Sequence, residues 1–336
     1  MRRGSRKCHE MPHSRRPRYD SAYFKSFPSS TMSRHLKFTK LDVFTSTPYV
    51  GNPLAIVHLP NTIQLSQAEK LLIAREFNLS ETVFLHEPDA DADPASPVVI
   101  DIFLTTAELP FAGHPTVGTG FLLLSRTPGR ETVTLRAKAG DIPVVRGSPG
   151  RVRLQVPIDF KAHGAFSIPV VKDGQPRLAD ADYVNGLAGA EQVVSLVKGN
   201  TFVLVPVAST AALSRTQAYP NSLTLPDDAA AQVGAWLGGT FVAVYMFYED
   251  ADGLIHTRMF DGTLEDPATG AAASTLSGWL ASKRGPGLHT IDIEQGVDMG
   301  RKSEIRVVVD VGEDREIKSI ALEGAAVQVM EGVLDI

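Results

Sequence analysis

The chain has 336 residues, of which 43% are hydrophobic and 21% charged, and its formal net charge is −5. This balance predicts a soluble globular protein with room for two cored domains. The charge removes nucleic acid as a partner of the body of the chain, and no apolar run reaches the roughly 18 residues that span a bilayer.

Residues 1–36 are rich in Arg, Lys, Ser and Pro and carry only Glu10 and Asp20 as acids. They read as a basic, disordered N-terminal extension of a cytoplasmic protein, with Met32 as a second candidate start. A mitochondrial presequence is the sharper reading, which Pro12, Pro17 and Pro28 weaken by breaking the helix it needs. Cysteine occurs once, at Cys8. Internal disulfides, Cys-based zinc sites and any two-thiol mechanism are thereby excluded, and no histidine spacing suggests a metal site.

A strand is predicted over 38–44, then a turn through Pro48-Tyr49-Val50-Gly51-Asn52-Pro53 and a second strand over 54–59. Ser66-Gln67-Ala68-Glu69 has the form of a capping box, and Ala68, Leu71, Leu72 and Arg75 continue with helical spacing to about Asn78. Ser80-Glu81 falls at the junction of that helix with the next strand. A strand over 98–104 leads into Glu108-Leu109-Pro110-Phe111-Ala112-Gly113-His114-Pro115. From Thr116 to Ser125 no residue is charged, so this helix has no polar face and should be enclosed. Strands follow over 132–139, 142–145 and 151–156. Residues 157–180 are the least patterned interior stretch, and the domain crossover is placed there. Beyond it come a strand over 201–207, a helix near 227–237, strands over 241–248 and 255–260, and Glu265-Asp266-Pro267-Ala268-Thr269-Gly270. An uncharged helix over 271–282 and strands over 291–294, 303–309, 317–322 and 326–330 complete the chain.

Phe103, Glu108, Pro110 and Gly113 recur as Phe260, Glu265, Pro267 and Gly270 at one offset of 157 (260 less 103, 270 less 113). A strand-like segment precedes each block and an uncharged helix follows it. Two copies of one supersecondary unit predict two similar halves with a ligand held between them. A turn delivering the chain to a helix start leaves backbone N–H groups unpaired at the positive end of the helix dipole, and Gly113 and Gly270 permit close approach. Such ends suit a small anionic substrate. Glu81, His114 and Asp266 are the acid–base candidates, because a partly desolvated carboxylate has raised proton affinity. Each has a plainer reading: Glu81 could cap or face solvent, His114 could bond a carbonyl, and Asp266 could make an Asx turn. No dinucleotide, P-loop or nucleophile-elbow pattern is present.

The chain resembles the PhzF family, phenazine-biosynthesis-type isomerases with the diaminopimelate epimerase fold. The resemblance is carried by Leu41-Asp42-Val43-Phe44 with Gly51-Asn52-Pro53, Ser80-Glu81-Thr82, Glu108 to Thr116, Glu265 to Gly270, and Gln295-Gly296 with Met299-Gly300-Arg301. It implies an α+β protein of two pseudo-symmetric domains, each a β-barrel-like sheet around a central helix. The boundaries expected are 37–157 for the first domain and 158–322 for the second, with a final strand over 323–336 returning to the first.

It also implies that Glu81 is the proton-shuttling carboxylate, that His114 and Asp266 are its polar partners, and that Ser80, Gly113, Gly270 and Ala271 contact a small carboxylate substrate. No cofactor is expected, and a homodimer is left open. Ala271 stands where the best-known isomerase pattern has Ser, so one hydroxyl contact is lost. A metabolite-binding protein that kept the cleft without turnover is the rival reading.

Overall fold

The computed structural model describes residues 35–89, 91–237 and 241–336. Cys8 and all but the last two residues of the expected extension lie outside them. His35 and Leu36 already belong to the first strand.

The first half runs β1 (His35–Val43), β2 (Asn52–Leu59), α1 (Gln67–Phe77), β3 (Thr82–His86), β4 (Val98–Phe103), β5 (Glu108–Leu109), α2 (Gly113–Arg126), β6 (Thr132–Ala137), β7 (Gly140–Arg146) and β8 (Val152–Gln155). The second runs β9 (Lys161–Phe166), α3 (Pro169–Asp173), β10 (Glu191–Val197), β11 (Asn200–Pro206), α4 (Thr210–Ser214), α5 (Asp227–Val233), β12 (Val242–Glu249), β13 (Ile255–Asp261), β14 (Leu264–Asp266), α6 (Gly270–Arg284), β15 (Gly287–Gln295), β16 (Ser303–Val311) and β17 (Ile317–Gly324). A last strand, β18 (Ala326–Asp335), pairs antiparallel with β1.

The repeat seen in the sequence is a repeat of hydrogen-bonding order. In the first half β1–β2 is antiparallel, β2–β3 parallel, β3–β4 antiparallel, β4–β6 parallel, and β6–β7 and β7–β8 antiparallel. The second half repeats that series as β10–β11, β11–β12, β12–β13, β13–β15, β15–β16 and β16–β17. Phe103 faces Glu108 across β4–β5, and Phe260 faces Glu265 across β13–β14. The offset of 157 is therefore a register.

Each half wraps its strands around one helix, α2 or α6. Both helices are apolar on nearly every side and are enclosed, as their lack of charge requires. One core joins the halves, with Leu41, Val43, Leu54 and Val117 on the α2 side and Ala272, Leu276, Val307 and Val309 on the α6 side. A smaller cluster lies beneath α1, and another lies beneath α3, α4 and α5. The capping box is present: the Ser66 hydroxyl accepts from the Glu69 N–H, and the Glu69 carboxylate accepts from the Ser66 N–H. Asn78 closes α1 in the left-handed conformation. The stretch 157–180 is more ordered than expected, holding β9 and α3. The buried strand β10 was not anticipated.

Two features tie the halves together. β8 pairs with β17 across the boundary. The loop from Phe44 to Gly51 is also bonded into the second half. The Phe44 N–H donates to Ala325 O at 2.8 Å, and Phe44 O accepts from the Glu304 N–H at 2.6 Å. The Gly51 N–H donates to Lys302 O at 3.0 Å. The Arg301 guanidinium donates to Gly51 O, Tyr49 O and the Asp42 carboxylate, the last at 2.6 Å. This loop delivers Asn52 to the site.

Candidate active site

The N-termini of α2 and α6 meet. Their N-caps are Ala112 and Thr269, neither of which makes a side-chain cap, and no acid lies in either first turn. First-turn N–H groups at such ends keep the capacity to bind an anion. Gly113 and Gly270 are the closest approach: a Cβ on Gly113 would lie 3.3 Å from the Gly270 Cα and 2.9 Å from Leu322 Cδ2. Two helix starts fit at this distance because neither residue has a side chain. Gly113→Ala should cost about 1–3 kcal/mol, the range for overpacking a filled site. Chemical denaturation would measure it, and an unchanged midpoint would refute the crowding.

His114 follows Gly113 in the first turn of α2 and is 4% exposed. Its Nδ1 lies 3.4 Å from Oε2 of Glu81, which sits between the end of α1 and the start of β3. Asp266 ends β14, immediately before the α6 turn, and is also buried. The three acid–base candidates, 33 and 152 positions apart in sequence (114 less 81, 266 less 114), are thus brought to one joint. Ser80 lies beside Glu81, and its hydroxyl reaches Asn52 Oδ1 at 3.5 Å. Ala271 is the second residue of α6 and is half-buried.

The environments of the three groups differ, and so do their proton affinities. Burial pushes Glu81 from its ordinary 4.5 up to about 7, with only the Ser80 hydroxyl pulling the other way. Its Oε2 is buried without a hydrogen-bond partner. Burial likewise raises Asp266 to about 6, aided by the charge of Glu81 and opposed by His114, the Thr269 hydroxyl and the Ala268 N–H. Burial drives His114 down to about 4, against the pull of Asp266 and of the Pro53 carbonyl. Around neutral pH the imidazole is neutral, so its contact with Glu81 is not an ion pair. His114 Nε2 also lacks a partner. Buried polar atoms are seldom left unpaired, and functional sites account for many exceptions.

Asp266 is by contrast well tied. The Asn52 amide donates to its Oδ1 at 2.8 Å and to Ala268 O at 2.9 Å. The Thr269 hydroxyl donates to its Oδ2 at 2.6 Å. The Gln295 amide donates to Asp266 O at 2.8 Å and to Thr269 Oγ1 at 3.0 Å, and its carbonyl accepts from the Tyr245 hydroxyl at 3.0 Å. Both carboxylate oxygens of Asp266 therefore accept, which favours its charged form, whereas Glu81 keeps an open oxygen. Asn52 and Gln295 were visible only as parts of matching motifs, with no role attached. Among the described residues no group of three or more His, Cys, Asp or Glu side chains is gathered as a metal site would require. No described helix is long and apolar enough to cross a membrane.

Residues 41–332 match the family model described as phenazine biosynthesis-like protein. An uncharacterized isomerase of Mesorhizobium japonicum is 33% identical over 310 residues, covering 87% of this chain and 96% of that protein. The trans-2,3-dihydro-3-hydroxyanthranilate isomerase of Pseudomonas aeruginosa is 31% identical over 305 residues, covering 88% and 98%. Among solved structures, the PhzF-family phenazine biosynthesis protein of Bacillus anthracis superposes with a TM-score of 0.71 at 22% identity, covering 90% of this chain and all of that one. The α+β architecture of two pseudo-symmetric, epimerase-like halves is thus the fold of these proteins. The chain belongs to the phenazine biosynthesis-like, or PhzF, family of isomerases.

Proposed function

We propose that the chain is a cofactor-independent isomerase that moves one proton within a small carboxylated metabolite. The single observation that carries this reading is the pairing of Glu81, partnerless at Oε2 and titrating near 7, with the uncapped N-termini of α2 and α6. The substrate carboxylate binds the helix ends, aligned by Gly113, Gly270 and Ala271. The Glu81 carboxylate takes a proton from carbon. The C–H electron pair shifts the adjacent double bond, and the same proton returns to the carbon at the far end of the shifted system. Glu81 ends as it began. Burial keeps the proton affinity of Glu81 high, neutral His114 lies beside it without adding charge, and Asp266 is fixed by Asn52 and Thr269.

The compound to test first is trans-2,3-dihydro-3-hydroxyanthranilate, incubated in deuterated water and followed by NMR. Conversion, or label uptake at carbon in this or another small carboxylate, supports the isomerase. Saturable binding with neither would instead support the metabolite-binding reading, for which Ala271 removes a hydroxyl. Because the base must be ionised, kcat/KM should rise with pH and level off above an apparent pKa near 7. A profile flat from pH 5 to 8 would rule out Glu81 as the base. We also propose a cytoplasmic homodimer, for which sedimentation gives the mass.

A further inference from the structure

Arg126, the last residue of α2, lines a recess of about 490 Å³ together with Lys37 and Thr39 of β1 and Glu331 to Val333 of β18, which pair with them. Its volume falls in the range of small-molecule sites, roughly 300–1,000 Å³. The lining is polar where a barrel interior should be apolar. Thr39 and His58, 2% and 5% exposed, are linked by a hydrogen bond of 2.9 Å. His58 Nδ1 lies 3.2 Å from the Glu87 carboxylate. Burial holds the pKa of His58 below its ordinary value, with the charges of Arg126 and Lys37 acting in the same direction and that of Glu87 against it. A neutral ring that donates to Glu87 accepts the Thr39 O–H at Nε2, so the Thr39 oxygen is left to accept from Arg126, whose guanidinium lies 3.2 Å away. The chain of donors thus runs from Arg126 through Thr39 and His58 to Glu87.

Two cations and two acids line this recess, and among the described residues the cations form no ion pair with the acids. Lys37 and Arg126 both line it, and neither has an acid within 4.0 Å among the described residues. Glu87 is engaged by His58, and Glu331, on the rim, accepts from the Gln328 amide at 3.3 Å. An ammonium and a guanidinium converging on one cavity, over a floor of buried polar groups, form a receptor for an oxyanion. We infer that this recess is a second binding site, separate from the helix-end joint, for a small organic anion that places a carboxylate or phosphate between Lys37 and Arg126. It needs none of the acid–base residues, so it stands or falls independently of the proposed reaction.

The test uses the full chain carrying isotope-labelled histidine, with ring resonances assigned through His58→Gln and His114→Gln. Citrate and inorganic phosphate are titrated separately at constant ionic strength, with sodium chloride as the reference. At least one of the two should move the His58 resonance saturably, and Lys37→Gln combined with Arg126→Gln should weaken that response tenfold or more. Glu81→Gln should leave it unchanged. Which probe acts distinguishes a carboxylate from a phosphate ligand. No saturable shift in the parent, or one that survives the double substitution, would overturn the site. Shifts confined to His114 would overturn it too, because they would assign the anion to the joint alone.

Discussion

Glu81→Gln should lower kcat/KM on any substrate the parent protein isomerises by about 10²–10⁴-fold, the usual contribution of a positioned general base. Gln keeps the shape of the side chain and its hydrogen-bonding reach but cannot hold the proton. Binding of the substrate carboxylate at the helix ends should survive, so the loss should fall on kcat more than on KM. Label uptake from deuterated water should disappear with turnover. Full activity in the variant would remove Glu81 from the chemistry and leave His114 and Asp266 to account for it.

The same variant carries a stability signature of opposite sense. In the folded chain Glu81 keeps its proton up to about pH 7, whereas in the unfolded chain it releases it near 4.5. Between those values the folded state binds more protons, so this group makes stability fall as pH rises, and the penalty is complete above pH 7. His114 acts in the reverse direction: folded near 4 and ordinarily 6.5, it makes stability rise with pH through that window. The two partly cancel in the parent protein, and removing Glu81 separates them. At pH 8 the Gln variant should be the more stable, by up to about 3 kcal/mol at 1.36 kcal/mol per pKa unit. At pH 4 the difference should vanish. A variant less stable than the parent at both pH values would mean that Glu81 is structural.

Arg301→Met should have the largest effect on stability. Asp42 is 2% exposed, and its carboxylate accepts from Arg301 and from the Tyr49 N–H. Removing one partner of a buried pair leaves a charge uncompensated, at a cost of about 3–5 kcal/mol. The damage should not stay local. Arg301 also holds the carbonyls of Tyr49 and Gly51, in a loop where Phe44 and Tyr49 have φ of 62° and 71°. Non-glycine residues sit in that region only when the surroundings impose it. Once released, the loop should relax and withdraw Asn52 from Asp266. Denaturation midpoint and kcat should therefore fall together. A stable variant with normal turnover would show that the loop holds itself.

The frame of the molecule was legible because its signals are local. An uncharged helix must be enclosed, a capping box satisfies N–H groups within four residues, and the 157-residue offset repeats turn chemistry that each half needs. Glu81, His114 and Asp266 stood out because each is a titratable residue at an element boundary. Asn52 and Gln295 did not, since a neutral amide has no periodicity, and its partner here lies 214 or 29 residues away. β10 was hidden for a different reason. Val193, Val194, Ser195 and Leu196 are buried in succession, without the alternation that marks a half-exposed strand. β9 is short and buries only Phe166, so no apolar pattern announces it. The recess at Arg126 draws its lining from α2, β1, β2 and β18, a tertiary relation that no single segment encodes.

The return of β18 to β1 also bears on how the chain is made. β1 lies between β2 and β18, so the first half lacks a strand until residues 326–335 have been synthesised. β8 likewise waits for β17. During translation the first half emerges with these edges unpaired and its sheet incomplete, while some 170 residues of the second half are still to follow (326 less 155). Pairings that distant in sequence form late and slowly, and exposed strand edges invite association in the meantime. The two halves, similar as they are, do not mature one after the other on the ribosome. The first half can be completed only once β17 and β18 have emerged.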